Sequence, residues 1–236
     1  MRSMSLIRRR ASLLPLLVML VTPALACSSA KTTPPDFVDP QLPGHDANPD
    51  GLAYPTDHLG GTPRSGKAHP GDRIPNFTFQ AYVNGDRAAG LQTISMADYF
   101  DPKQARNKVL HMEVSAVWCA ICSSVTDETV KVKDELGKEG VVYLEVMTAG
   151  ASPGAGPSLG EVDDWITRHT SNLTTAIDVR ATRLASIGVD PGVRPWDIVV
   201  DTRSMEILES SGGSPLDVAK YDRSYLAVVA ATVPPY

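Results

Sequence analysis

The chain has few cysteines, no basic block beyond its first ten residues and no dominant low-complexity tract. Only three cysteines occur among 236 residues, which excludes a small scaffold held together by many disulfides. A formal net charge of −5 gives little support to nucleic-acid binding. The composition, 42% hydrophobic and 21% charged, excludes a wholly disordered chain. The length predicts one sizeable domain together with a segment that is not a domain.

The N-terminus has the arrangement of a secretory signal. Residues 1–10 (MRSMSLIRRR) contain four arginines and no acid, and residues 11–26 carry no charge. Small residues at Ala24 and Ala26 complete the pattern, so we predict a signal peptide over residues 1–26. The uncharged run is too short, and too interrupted by proline, for a good transmembrane helix. The alternative, a buried helix of a cytosolic domain, has less support because nothing amphipathic accompanies the run.

Cys27 follows the predicted signal directly, and two processing routes remain open. The segment 24–28 (ALACS) resembles a bacterial lipobox, in which Cys27 would become the lipid attachment site of a lipoprotein. Ordinary cleavage after Ala26 would instead leave a soluble protein with a free Cys27. Without residues 1–26 the chain has 18 basic and 27 acidic residues, a net charge of −9. Membrane attachment would therefore come from lipid on Cys27 rather than from charge.

Residues 27–70 are predicted to form a flexible tether. They contain eight prolines and five glycines and show no helical or alternating pattern. Such a stretch buries too little apolar surface to offset the entropy lost on ordering the chain. His45, His58 and His69 fall in this segment at separations that match no compact metal motif, so no metal site is predicted there.

Residues 71–236 carry the periodic patterns of one α/β domain, predicted as a mixed central sheet with helices on its faces. Ser214 and Pro215 supply a cap and an N1 proline for the last helix, and Gly140 ends the first. Residues 149–160 are predicted to be a loop. The predicted strands are 76–83, 91–95, 109–117, 141–148, 175–179, 196–201 and 205–210, and the predicted helices are 123–138, 161–170, 181–187 and one running from the Ser214 cap to about Ala231.

Cys119 and Cys122 lie in the sequence Trp-Cys-Ala-Ile-Cys, where an apolar strand turns into a helix. Two thiols at this spacing in a first helical turn can come close enough to form a disulfide. Unpaired N–H groups and the dipole at a helix N-terminus stabilise a thiolate on the first of them. A thiolate attacks a partner disulfide, and the second thiol then resolves the mixed disulfide. The pattern thus favours redox chemistry.

Two other interpretations of the pair remain open. An exported protein could use Cys119 and Cys122 as a structural disulfide, although so small a loop restrains the unfolded chain little. The pair could also be half of a zinc site, which normally needs four ligands. No second Cys-x-x-Cys exists, His111 lies on the preceding strand, and His169 is far along the chain. We therefore predict neither a metal nor any cofactor beyond the redox-active pair itself.

The Trp-Cys-x-x-Cys sequence after an apolar strand resembles the thioredoxin superfamily. Residues 71–77 (GDRIPNF) and 94–99 (ISMADY) are similar to the opening of its exported, redoxin or TlpA-like branch. Residues 188–201 (GVDPGVRPWDIVVD) are similar to the stretch that carries the family's cis-proline, which would be Pro195. The resemblance implies a thioredoxin-like fold with an N-terminal β extension.

The resemblance also assigns roles by position. Cys119 would be the nucleophile and Cys122 the resolving thiol. Pro195 would lie opposite the disulfide in a cis peptide, and Arg194 would offer backbone groups to an extended substrate segment. As a bulky cation, Arg194 would also favour an acidic partner or add positive potential near the thiolate. Ala120-Ile121, which replaces the Gly-Pro pair of thioredoxin itself, brings no charge that would set the redox potential.

Glu113 stands six residues before Cys119, where thioredoxins carry a buried acid beneath the site. It would exchange a proton with Cys122, whereas a strand glutamate facing solvent is the open alternative. Glu145, on the neighbouring strand, is a second candidate for this role. Trp118 would cover the edge of the site and contact substrate, with packing in the core as its alternative.

These observations predict an exported bacterial thiol–disulfide oxidoreductase that reduces or isomerises disulfides of extracytoplasmic proteins. Its partners would be protein thiols and disulfides and an upstream electron donor of the same chemistry, with no nucleic acid, and we expect a monomer. The expected location is the cell envelope, anchored through lipid on Cys27 or else soluble in the periplasm. The alternative from another class is a non-catalytic thioredoxin-fold protein that binds a partner or handles copper.

Overall fold

The structure is a computed structural model that describes residues 35–57, 59, 64, 71–152 and 154–232. The predicted signal peptide, Cys27, His58 and His69 lie outside these residues. Within them, no helix is long and apolar enough to cross a membrane.

A seven-stranded mixed sheet forms the centre of the domain, in the order β2-β1-β5-β4-β3-β6-β7. Strand β3 is parallel to β4 and antiparallel to β6, so it lies between two hydrogen-bonded neighbours. Strands β1 and β2 form an antiparallel hairpin at one edge, and β6 and β7 form another at the opposite edge. The strands are β1 (Thr78–Tyr82), β2 (Gln92–Ser95), β3 (Val109–Ala116), β4 (Val141–Ala149), β5 (Thr174–Ile177), β6 (Trp196–Asp201) and β7 (Glu206–Gly212).

Three α-helices pack on one face of the sheet: α1 (Ala120–Glu139), α2 (Leu159–His169) and α3 (Val218–Ala231). Helix α1 ends at Gly140, whose φ of 109° lies in the left-handed region that glycine adopts without a Cβ clash. The helices bury the odd-numbered side chains of β3 and β4.

On the other face of the sheet, none of the described residues forms an α-helix. Leu110, Met112 and Val114 of β3 pack there against Ile74 and against two short 3-10 helices, Val179–Ala181 and Leu184–Ile187. All eight residues of β3 are buried because the strand is covered on both faces.

The order of the strands and α-helices predicted from the sequence is confirmed, except at residues 181–187, and several element bounds differ by a few residues. Residues 181–187 were predicted to be one short helix, but the two 3-10 segments Val179–Ala181 and Leu184–Ile187 occupy this region. The last helix begins at Val218 rather than after Ser214, since the side chain of Asp217 accepts the Lys220 N–H and is the cap. Helix α1 begins at Ala120, immediately after Cys119.

The segment 35–57 lies on the domain, whereas the sequence predicts a tether there. Tyr54 is buried, its ring lies edge-on to Phe100 at 6.0 Å, and its hydroxyl donates to the Ile74 carbonyl at 2.5 Å. The amide of Asn48 donates to the Phe100 carbonyl, and the backbone N–H of Phe37 donates to the Pro157 carbonyl. This proline-rich segment is held by individual contacts, and such contacts leave no periodic pattern in the sequence.

Ion pairs add to this attachment. Asp36 and Asp39 contact Arg180 and Arg183, and His45 Nδ1 lies 2.6 Å from Asp98 Oδ1. The rest of the predicted tether, residues 27–34, 58, 60–63 and 65–70, lies outside the described residues.

We expect Tyr54→Ala to lower the free energy of unfolding by about 3 kcal/mol, because it removes a buried aromatic ring and its hydrogen bond. Val38→Ala is the matched control, since Val38 is 84% exposed in the same segment and its truncation should change stability little. Urea unfolding followed by tryptophan fluorescence measures both. If the two variants were equally stable, the segment would not be anchored through Tyr54.

Candidate functional site

The cysteine pair lies at the junction of β3 and α1. Cys119 is the N-cap residue of α1, and its Sγ accepts the backbone N–H of Cys122 at 3.0 Å. The two sulfurs form a disulfide, with their Cα atoms 5.3 Å apart. The sulfur that would carry a thiolate therefore occupies the position where a helix offers free N–H groups and the positive end of its dipole.

The disulfide is buried beneath an exposed apolar rim. Both cysteines pack in a cluster with Met147, Trp165 and Ile166. The side chains that flank them in sequence are open to solvent: Trp118 is 40% exposed and Ile121 is 61% exposed. With this exposure, Trp118 lies at the edge of the site rather than in the core; the sequence had left both positions open.

Arg194 and Pro195 lie in the loop that leads into β6, and the peptide bond between them is cis. The guanidinium of Arg194 is bound within the protein. Its Nε donates to Thr148 Oγ1 at 2.7 Å, and its Nη1 donates to the carbonyls of Asp190 and Val193. Thr148 in turn donates to the Ser115 carbonyl at 3.0 Å. Arg194 thus joins its own loop to the ends of β4 and β3, and burial lowers the pKa of its guanidinium.

Glu113 is buried on the helix-covered face of the sheet rather than facing solvent. The register places Glu145 of β4 beside it on one side and Asp197 of β6 on the other. Its Oε1 accepts the Ser115 hydroxyl at 3.1 Å, and its Oε2 has no hydrogen-bond partner among the described residues. Burial, and then the like charges of Glu145 and Asp197, raise the pKa of Glu113 well above its usual range.

Glu145 has better hydrogen-bond donors than Glu113. Its Oε1 accepts from Thr126 Oγ1 at 2.7 Å and from Trp165 Nε1 at 2.9 Å, and Thr175 Oγ1 lies 3.5 Å from its Oε2. Burial raises the pKa of Glu145, and these donors oppose that rise because they stabilise the ionised form.

His111 lies between two carboxylates in the interior. Its Nε2 is 3.0 Å from Asp197 Oδ1, and its Nδ1 is 2.8 Å from Asp222 Oδ1 of α3. The Tyr143 hydroxyl donates to the other oxygen of Asp222 at 2.5 Å. Burial opposes protonation of His111, but Asp222 and Asp197 outweigh it and hold the pKa of His111 well above its ordinary value.

A second histidine, His169 at the end of α2, contacts the first two turns of α1. Its Nδ1 lies 2.7 Å from Asp127 Oδ1, and its Nε2 lies 3.3 Å from the hydroxyl of Ser123. Its ring packs on Trp165 at 4.4 Å. The side chain of His169 is buried, whereas that of Asp127 is half exposed.

Sequence analysis did not assign Ser115, Asp197 or His169 to the site. The first two had a usable signal: Ser115 is two residues from Glu113 and therefore on the same face of β3, and Asp197 is an acid in an apolar strand two residues after Pro195. His169 had none, since 46 residues separate it from Ser123. Cys27 lies outside the described residues.

The arrangement can form and open a disulfide whose first sulfur is stabilised as a thiolate, beside buried acids that can hold a proton. Among the described residues, no three His, Cys, Asp or Glu side chains are grouped as metal ligands would be.

The chain matches solved structures with the thioredoxin-like fold. A Chlorobium tepidum protein assigned as the thiol:disulfide interchange protein DsbE has a TM-score of 0.52 at 17% sequence identity, covering 69% of this chain and 99% of that one. The thioredoxin domain of a thiol-disulfide oxidoreductase from Bacteroides vulgatus has a TM-score of 0.52 at 15% identity, covering 68% and 99%. No protein-family model and no curated protein matches the sequence. The predicted thioredoxin-like fold, with its mixed central sheet, flanking helices and N-terminal β extension, is confirmed, and the extension is the hairpin of β1 and β2.

The raised pKa values predict that stability falls as pH rises. The folded protein holds a proton on Glu113 at pH values where the unfolded chain has released it, so deprotonation above pH ~4.5 penalises the folded state. The pKa of His111 is also raised, so its stabilisation is complete below about pH 6.5 and is lost as pH rises through its folded pKa.

We therefore expect Glu113→Gln to gain stability relative to the wild type as pH rises, by about 1.4 kcal/mol for each unit by which folding raises the pKa of Glu113. Urea unfolding of the oxidised protein between pH 4.5 and 9 measures the difference. Glu128→Gln, which removes an exposed glutamate of α1, is the control and should show no such pH dependence. A constant difference across this range would mean that Glu113 has an ordinary pKa.

Proposed function

We propose that this thioredoxin-fold chain is an exported thiol–disulfide oxidoreductase that reduces or isomerises disulfides of extracytoplasmic proteins. The observation that carries the proposal is the Cys119–Cys122 disulfide at the start of α1, with Cys119 as the helix cap. A purely structural staple would not need this position, because so short a loop restrains the unfolded chain little.

The reaction begins from the reduced pair. The Cys119 thiolate, stabilised by the Cys122 N–H and the helix dipole, attacks one sulfur of a substrate disulfide. An S–S bond forms between Cys119 and the substrate, and the other substrate sulfur leaves as a thiolate. Cys122 then attacks Cys119 Sγ, which closes the Cys119–Cys122 bond and releases the second substrate thiolate. Two electrons pass from the protein dithiol to the substrate disulfide.

Cys122 must lose a proton before it attacks, and the site is closed to water around it. Glu113, buried on the same face of the sheet that α1 covers, is the proposed proton acceptor. Its raised pKa brings it closer to that of a thiol, which favours proton transfer between the two.

The exposed rim suits a polypeptide partner. Trp118 and Ile121 present apolar surface beside the buried sulfurs, and such aromatic anchors are frequent at protein interfaces. Since the guanidinium of Arg194 is hydrogen-bonded to Thr148 and to carbonyls of its own loop, that residue would contact a substrate through its backbone. The proposed partners are thus protein thiols and disulfides, together with a thiol–disulfide donor that returns Cys119 and Cys122 to the reduced form.

We expect Cys119→Ser to abolish reduction of insulin disulfides by the purified protein and Cys122→Ser to accumulate a mixed disulfide with the substrate. The first change removes the nucleophile, and the second leaves it without a resolving thiol. Turbidity of precipitating insulin B chain and non-reducing electrophoresis measure the two effects. Cys27→Ser is the matched control and should keep full turnover.

If both site variants kept full activity, the exchange mechanism would be wrong. Stoichiometric copper(I) binding by the wild type without any disulfide reduction would instead support a copper-handling protein. The reduction potential gives the direction of catalysis, since a value near −270 mV is typical of a reductant and one near −120 mV of an oxidant.

Export and lipid attachment at Cys27 are part of the proposal, supported by the signal-like residues 1–26 and the cysteine that follows them. We expect Cys27→Ser to move the protein from the membrane fraction to the soluble extracytoplasmic fraction of an expressing bacterium. Immunoblotting of the fractions measures this. The Cys119→Ser variant is the control and should stay with membranes, whereas unchanged fractionation of Cys27→Ser would exclude lipid attachment.

A further inference from the structure

Three carboxylates lie side by side across the centre of the sheet, on the face that the helices cover. Glu145 of β4, Glu113 of β3 and Asp197 of β6 are direct register partners. All three are buried. Because neighbouring strands are about 4.8 Å apart, Glu113 has an acid close by on each side in a region from which water is excluded.

The three acids have unequal partners. Asp197 faces His111, with which it can form an ion pair. Glu145 accepts from Thr126 of α1 and from Trp165 of α2, so its ionised form is stabilised by two donors. Glu113 accepts only from Ser115 among the described residues, and its second oxygen is unpartnered.

These partners decide where a proton resides. Ionising both of two neighbouring carboxylates in a low-dielectric interior costs free energy when no cation lies between them, and no lysine or arginine is hydrogen-bonded to either glutamate in the described chain. Of the two glutamates, the one that accepts more hydrogen bonds keeps its negative charge, and the one with an unpartnered oxygen keeps the proton. In the oxidised protein, Glu145 is therefore the ionised member and Glu113 the protonated one.

We propose that Glu145 is a positioning residue for the redox site: its charge, fixed by Thr126 and Trp165, keeps a proton on Glu113, so that the two carboxylates hold one proton between them. The use of this proton rests on the thiol–disulfide exchange proposed above. When a thiolate of the electron donor attacks Cys119 Sγ, an S–S bond forms between the donor and Cys119, the Cys119–Cys122 bond breaks, Cys122 leaves as a thiolate, and Glu113 gives it the proton. In the reverse direction, the Cys122 thiol returns that proton to the pair, and no electrons move with it.

Other charged groups lie around Glu113 and Glu145 and contribute to the pH at which these two carboxylates titrate. His111, two residues before Glu113 on β3, carries Asp222 of α3 on its far side. His169 of α2 packs on Trp165, which donates to Glu145, and is itself paired with Asp127 of α1. These groups are the same in every variant below, so a difference between variants reports on the pair.

The experiment follows the glutamate side-chain carboxyl carbons of the full-length oxidised protein by ¹³C NMR, with glutamate labelled, between pH 4 and 9. Labelling glutamate alone excludes the aspartates, including Asp197. Exposed glutamates are ionised above about pH 6, so a carboxyl that remains protonated there is a buried one. We expect one such proton in the wild type, with Glu113 and Glu145 changing together because coupled groups titrate as a pair.

Three variants give different outcomes. Glu113→Gln should remove the protonated signal. Glu145→Gln, which keeps an oxygen for Thr126 and Trp165, should shift the titration of Glu113 to lower pH because the like charge is gone. Trp165→Phe, which removes the N–H donor to Glu145 together with part of the buried ring, should shift the titration of Glu113 and Glu145 to higher pH. General loosening of the fold is not expected to move the titration to lower pH in Glu145→Gln and to higher pH in Trp165→Phe.

Glu128→Gln is the control and should leave the titration unchanged, since Glu128 is exposed on α1. The proposal is overturned if Glu113 and Glu145 titrate independently in the ordinary glutamate range, or if Glu145→Gln leaves Glu113 unmoved. Should Glu145→Gln fail to fold, the direction of the shift in Trp165→Phe decides, with a shift to lower pH contradicting the proposal.

A second measurement separates this inference from the proposed function. The reduction potential of the Cys119–Cys122 pair, measured against glutathione from pH 5 to 9, should change slope at the pH where the carboxyl pair titrates. The pH of this change in slope should be lower in Glu145→Gln than in the wild type, as should the pH at which Glu113 titrates by NMR. If the pH of the change in slope is the same in Glu145→Gln and the wild type, Glu145 does not act on the cysteines. If the protein never reduces insulin but shows both the NMR shift and the shift in slope, the inference about Glu145 holds and the proposed function is wrong.

Discussion

The register of β3 against its two neighbours fixes the geometry of the whole site. Because β3 runs parallel to β4 and antiparallel to β6, its end delivers Cys119 to the first turn of α1. The same alignment sets Glu113 between Glu145 and Asp197. A shift of one residue would turn Glu113 to the opposite face, against the apolar side chains around Met112, and would separate the acid from the helix that carries the cysteines.

Local patterns in the sequence were enough to predict most of the fold and part of the site. The Cys-x-x-Cys spacing, the apolar strands β3 and β4 and the helix end at Gly140 depend on neighbours within a few residues. The contacts that were not predicted join distant residues. Tyr54 reaches Ile74 and Phe100 from a proline-rich stretch, and His169 reaches Ser123 across 46 residues. No periodicity encodes such pairs, since each depends on how finished elements pack.

The interior on the helix side is unusual in being acidic. A buried carboxylate is costly unless it is paired, hydrogen-bonded or protonated, and this domain uses all three solutions within one layer. Asp197 is paired with His111, Glu145 is hydrogen-bonded by Thr126 and Trp165, and Glu113 is left to hold a proton. Differences in local donors therefore give three similar side chains three protonation behaviours, in the region directly below α1.

If Cys27 carries the proposed lipid, the packing of residues 35–57 on the domain shortens the distance over which the protein can act. A free chain of 44 residues would allow a reach of up to about 160 Å, since an extended residue spans at most ~3.6 Å. With the chain attached to the domain from Phe37 onward, about ten residues separate it from Cys27, and their full extension is about 36 Å. A lipid on Cys27, as proposed, would hold the domain within roughly its own diameter of the bilayer. The distance of a partner's disulfide from the bilayer, as well as its chemistry, would then decide whether the site can reach it.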